Sequence, residues 1–164
     1  MLRFFYALAL GLLMSNQLYS QKVQVIDKFD KLESSYFNVE DDKIRVINFW
    51  ATWCAPCVKE LPYFDQIHEK FKDQNIEVIL VSLDDPKKIE SRVVPFLEKK
   101  NVQSKVIILG DPKANTWIDR VAIEWSGAIP ATLLISKDNR AFYEQEFHSY
   151  NELEELIKTF SNLK

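Results

Sequence analysis

The stretch that most restricts what this chain can fold into runs from Ile44 to Phe71, where a strand pattern passes through a short turn into a helix pattern. Ile44 to Trp50 is rich in β-branched and aromatic residues and reads as a buried central strand. Val58, Leu61, Phe64, Ile67 and Phe71 then recur on one helix face. Pro62 lies inside that helix and is expected to kink it. Cys54 and Cys57, the two cysteines of the chain, fall between the two patterns at the first turn of the helix.

The same alternation extends in both directions. Val23, Val25 and Ile26 form a short strand pattern, and Phe29, Leu32, Tyr36 and Phe37 recur at helical spacing. Ile76 to Leu83 reads as the next buried strand. Asp85-Pro86 reads as an N-cap followed by proline at the first helical position, and Ile89, Val93, Phe96 and Leu97 continue a helix that Pro95 should bend. Val106 to Leu109 is a short strand, and Trp117, Ile118 and Val121 suggest a short helix. Thr132 to Ser136 and Ala141 to Phe147 form a hairpin, and Leu153, Leu156, Ile157 and Phe160 mark a last helix. Crossover helices imply parallel strands, while the hairpin adds antiparallel ones. The expected fold is α/β: one mixed central sheet with helices on both faces, closed by a C-terminal hairpin and helix.

Composition narrows the chemistry. Only three glycines are present and no glycine-rich phosphate loop can be traced, so nucleotide binding through such loops is excluded. The formal charge of −3 comes with no basic block, which leaves no electrostatic footprint for nucleic acid. Residues 1–20 differ from the rest. Arg3 precedes an uncharged apolar run from Phe4 to Met14, then polar Ser15-Asn16-Gln17 and small Ser20, the layout of a secretory signal peptide. The run is shorter than the roughly 20 residues that span a bilayer. The chain is therefore expected to be exported, with 1–20 removed, the alternative being a retained N-terminal anchor, and 21–164 forming a single domain.

Export places the protein where disulfides persist. A bridge between Cys54 and Cys57 would close a very small loop and remove little chain entropy, so the pair makes more sense as chemistry than as a staple. At a helix N-terminus, unpaired N–H groups and the macrodipole favour an anion, which lowers the pKa of the Cys54 thiol. Cys57, one turn on, can displace whatever Cys54 captures. Other chemistries compete for the pair. Zinc would need two more ligands, and His68 and His148 are distant in sequence; c-type haem attachment needs histidine where Val58 stands. A static disulfide stays open. No cofactor or metal is called for. Asp84 and Asp85 read as a capping turn, and the two histidines as surface residues.

The segment Val46-Ile47-Asn48-Phe49-Trp50-Ala51-Thr52-Trp53-Cys54-Ala55-Pro56-Cys57, followed by Glu60-Leu61-Pro62, resembles the thioredoxin superfamily, and within it the exported TlpA/ResA-like thiol–disulfide oxidoreductases. Gly127-Ala128-Ile129-Pro130-Ala131-Thr132 is similar to that family's second active-site loop. The resemblance implies a thioredoxin-like fold and a redox-active Cys54–Cys57 pair. It also implies a cis Ile129–Pro130 bond facing the cysteines, with the Ile129 backbone pairing an extended substrate segment. Trp53, Ala55 and Pro56 would form an apolar rim, and Trp125 either borders that groove or sits in the core. Burial tendencies alone make Glu60 an exposed helical residue; the resemblance instead implies a carboxyl group that serves the thiols. Asn48, where thioredoxin itself has an aspartate, cannot act as acid or base.

By the same resemblance the expected partners are disulfide-containing exported proteins as substrates and a membrane-embedded thiol carrier as electron donor, in a periplasmic setting. Net oxidation or isomerisation of disulfides is the alternative direction, decided by reduction potential. A peroxidase is less favoured, since a peroxidatic cysteine needs no partner two residues later. A chaperone using the two thiols as soft copper ligands is a third possibility.

Overall fold

The computed structural model describes residues 23–38 and 40–162, so the expected signal segment 1–20 lies outside the described residues. Six strands form one mixed sheet: β1 (Val23–Ile26), β2 (Ile44–Trp50), β3 (Ile76–Ser82), β4 (Lys105–Leu109), β5 (Ala131–Ile135) and β6 (Arg140–Tyr143). Their spatial order is β1-β4-β3-β2-β5-β6. The first four are mutually parallel, and β5 runs antiparallel to both β2 and β6. The helices are α1 (Phe29–Tyr36), α2 (Ala55–Phe71), α3 (Val94–Lys100), α4 (Ile118–Val121) and α5 (Tyr150–Ser161).

Strand periodicity splits the core in two. On β2, Val46 and Trp50 face one side with Val78 and Leu80 of β3, and there meet Leu61, Phe64 and Ile67 of α2 and Leu153 and Ile157 of α5. Ile47 and Phe49 face the other side, with Ile79 and Val81, against Phe29 and Leu32 of α1 and the tryptophans Trp117 and Trp125. Every residue of β2 is buried, as suits a strand with parallel and antiparallel neighbours and covered faces. By the same alternation Asn48 lies on the α2 side, paired across the sheet with Thr132 of β5.

Three local features depart from the sequence pattern, each for a physical reason. The Asp85–Lys100 segment is not one α-helix. Asp85 caps a 3-10 turn over Pro86–Lys88, a π turn covers Ile89–Val93, and α-geometry begins at Val94. Pro95 has no N–H and its ring collides with the carbonyl four residues back; the turn before it widens, and Val94 N–H donates to Ile89 O instead. By contrast α2 continues through Pro62 to Phe71. The last strand stops at Tyr143 rather than Phe147, because the backbone N–H of Phe147 leaves the ladder to donate to Glu60 Oε2 at 2.8 Å. Finally, the helix expected around Trp117 is a single turn, Ile118–Val121, after a 3-10 turn at Ala114–Thr116.

Candidate active site

Cys54 and Cys57 form a disulfide at the head of α2. Cys54 is the N-cap: its extended backbone starts the helix, its carbonyl accepts from Val58 N–H at 3.0 Å, and its Sγ accepts from Cys57 N–H at 3.3 Å. Pro56 occupies the first turn, where a missing N–H costs nothing. The sulfur of the capping residue therefore sits among the unpaired N–H groups of a seventeen-residue helix. The two sulfurs differ in access, with Cys57 wholly buried and Cys54 6% exposed at the surface edge. Trp53, next to it in the chain, is 62% exposed, Ala55 is exposed and Pro56 half-buried.

The second loop approaches from across the sheet. The antiparallel register of β2 with β5 ends at Phe49 opposite Ala131, which brings the residues before Ala131 to the head of α2. The Ile129–Pro130 peptide is cis, and Ile129 O lies 3.6 Å from Cys54 Sγ. In the disulfide that sulfur has no proton to give; once reduced, the thiol can donate to this carbonyl.

Glu60, one turn further along α2, is wholly buried on the helix face that also carries Cys57, Leu61 and Phe64. Its Oε1 accepts from Asn48 Nδ2 at 2.9 Å and its Oε2 from Phe147 N–H at 2.8 Å. Asn48 Nδ2 also donates to Thr132 Oγ1 at 3.1 Å. Desolvation pushes the Glu60 pKa up to about 7, against the opposing pull of the Phe147 and Asn48 hydrogen bonds. A carboxyl group that titrates near neutrality, three residues after Cys57 on the same helix, is suited to taking up or giving a proton. The exposed-glutamate reading is corrected: Glu60 has no contact with solvent.

Two further carboxylates brace the loops, and the sequence did not single them out for this. Asp84, read as part of a capping turn, caps nothing. It is buried just beyond β3 and accepts from Thr52 N–H at 2.8 Å, Thr52 Oγ1 at 2.6 Å and Ser82 Oγ at 2.8 Å, so it holds the turn that leads into Cys54. Glu144, just past β6, accepts from the backbone of Ser126 and Ala128. The only sequence hint of Asp84 is polarity continuing the Ser82 side of an apolar strand; for Glu144 no hint exists. Trp125 belongs to the core, its ring tilted against those of Phe49, Trp117 and Phe142, with its Nε1 donating to Ala128 O at 2.7 Å. His148 is exposed and His68 half-buried. Among the described residues no group of three or more histidine, cysteine, aspartate or glutamate side chains is placed to hold a metal ion.

Comparison with known proteins agrees with this layout. A model of the AhpC/TSA family matches residues 21–141. Thiol-disulfide oxidoreductase ResA of Bacillus cereus (strain ZK / E33L) is 32% identical over 111 residues, which are 66% of this chain and 59% of that protein. ResA of Bacillus thuringiensis subsp. konkukian (strain 97-27) is 29% identical over 130 residues, 77% of this chain and 70% of that one. The chain thus matches about three-fifths to seven-tenths of these relatives' length. Among solved structures, a DsbF homologue from Corynebacterium diphtheriae superposes with a TM-score of 0.59 at 25% identity, covering 77% of this chain and 75% of that one. A thioredoxin-related protein from Neisseria meningitidis serogroup B gives 0.64 at 21% identity, covering 76% and 88%. The sheet order, the cysteine pair at a helix head and a family match over most of the chain agree: this is a thioredoxin-like protein and a member of the AhpC/TSA family.

Proposed function

We propose that this chain is a thiol–disulfide oxidoreductase that reduces disulfides in exported proteins. One observation carries the reading: of two cysteines at a helix head, the capping one is reachable and faces the Ile129 carbonyl, while its partner is sealed in the core. In the reduced chain the Cys54 thiolate attacks one sulfur of a substrate disulfide. A Cys54–substrate disulfide forms and the other substrate sulfur leaves as a thiolate. Cys57, deprotonated, then attacks Cys54 Sγ, which regenerates the Cys54–Cys57 bridge and frees the second substrate thiolate. The substrate gains two electrons and two protons. Glu60 accepts the Cys57 proton, Trp53, Ala55 and Pro56 line the approach, and Ile129 with Pro130 aligns the substrate backbone.

The signal-like layout of residues 1–20 supports export to a periplasmic space, with 21–164 as the working domain. A membrane-embedded thiol carrier returns the two electrons. Among the described residues no helix is long and apolar enough to cross a membrane. Cys54→Ser is expected to abolish reduction of a disulfide-bridged peptide, and retained activity would rule the mechanism out. Cys57→Ala should accumulate the mixed disulfide and so capture substrates covalently. Direction is tested by equilibration with glutathione. A potential below about −230 mV suits a reductase, whereas one near about −120 mV marks an oxidant.

A further inference from the structure

Ser126, Gly127 and Ala128 precede the cis Ile129–Pro130 bond, and Gly127 has φ +91°, a backbone state that strains other residues. With that glycine between them, the N–H groups of Ser126 and Ala128 turn to the same side, a concavity that receives an anion. Glu144 fills it. Its Oε2 accepts from Ser126 N–H at 3.0 Å, and its Oε1 accepts from Ala128 N–H at 3.1 Å and from the Ser126 hydroxyl. Ala128 is gripped from the other side as well, its carbonyl taken by Trp125 Nε1. The next residue is Ile129, whose carbonyl faces Cys54 Sγ. Glu144 is placed there by the hairpin: the β5–β6 register ends at Thr132 opposite Tyr143, and Glu144 follows directly.

We infer that Glu144 is a positioning residue for substrate recognition, a carboxylate clamp that holds the 126–128 loop so that Ile129 presents a rigid backbone to an extended peptide. The inference rests on the oxidoreductase reading and adds to it a residue outside the cysteine motif and the proline loop. Each carboxylate oxygen meets a backbone donor, so the group must be acceptor-only. The hydrogen bonds from Ser126 and Ala128 outweigh partial desolvation and keep the Glu144 pKa below its usual value. A glutamine would set its amide against one of the two N–H groups in either orientation. Aspartate is one methylene too short to reach both.

A peptide must dock along Ile129 before its disulfide meets Cys54, whereas a small aromatic disulfide needs only to reach the accessible edge of Cys54. The test compares second-order rate constants of the reduced chain and of Glu144→Gln with two probes, a disulfide-bridged peptide and 5,5′-dithiobis(2-nitrobenzoate). The peptide-to-small-disulfide ratio should fall about tenfold in the variant, through KM rather than kcat. Glu144→Asp should not restore it. Faster hydrogen exchange at the Ser126 and Ala128 amides should accompany the loss. An unchanged ratio, or equal losses with both probes, would overturn the clamp while leaving the oxidoreductase reading intact. A wild-type chain that reduces neither probe would bring down both.

Discussion

Glu60 carries its chemistry through enclosure. Water is excluded from it, two hydrogen bonds hold its oxygens, and its pKa is pushed from 4.5 to about 7. The folded chain therefore keeps a proton on Glu60 that the unfolded chain gives up above pH 4.5. This contribution to stability is complete below pH 4.5, declines as the pH rises and is gone above about 7. Denaturant titrations of the oxidised protein across that window should show a loss of up to about 3 kcal/mol, and Glu60→Gln should flatten the slope. Removing the Asn48 amide, which donates to the ionised form, should move the Glu60 titration further up; an NMR titration of Asn48→Ala checks this. The sequence made the cysteines legible because their position after a strand and before a helix is local. The setting of Glu60 was not legible from its own neighbourhood, since one of its partners, Phe147, comes 87 residues later.

At the scale of elements, the segment from Glu144 to Ser149 shows where pattern reading ends. Alternation in Ala141-Phe142-Tyr143 identified the strand but could not say where it would stop, because the choice is made by outside acceptors. Glu144 turns to the 126–128 loop, Phe147 N–H to Glu60, and His148 N–H to Glu152 at 2.8 Å. The start of α5 is conventional: Ser149 Oγ accepts from Glu152 N–H at 3.2 Å as the N-cap. Ser149→Ala is expected to cost about 1 kcal/mol and to lower the melting temperature by about 2–4 °C, as calorimetry would show. The segment Asp85–Lys100 teaches the same lesson. Asp85 and Pro86 announced a helix start correctly, yet Pro95 converted the following turn to π geometry, which side-chain periodicity does not register.

The molecule as a whole joins two cores through one sheet, and that architecture was readable from the alternation of strand and helix patterns. What could not be read was the convergence of 48–60, 126–132 and 144–147 on a single point, because each meeting crosses between elements far apart in the chain. Phe64 ties this convergence to stability. It is wholly buried, and its ring lies 6.2 Å from that of Phe147, the residue whose N–H holds Glu60. Phe64→Ala should cost about 3–5 kcal/mol in chemical denaturation. Val25→Ala, on an edge strand and 42% exposed, should cost far less.

The antiparallel seam between β2 and β5 has a further consequence, this one for timing. Only when that seam closes does Ile129 come to face Cys54. A newly made, still unfolded copy has both sulfurs but neither the helix head nor the opposing loop. Its thiols are then no more aggressive than those of its neighbours. The protein arms itself by folding, and acquires reactivity and discrimination in the same event.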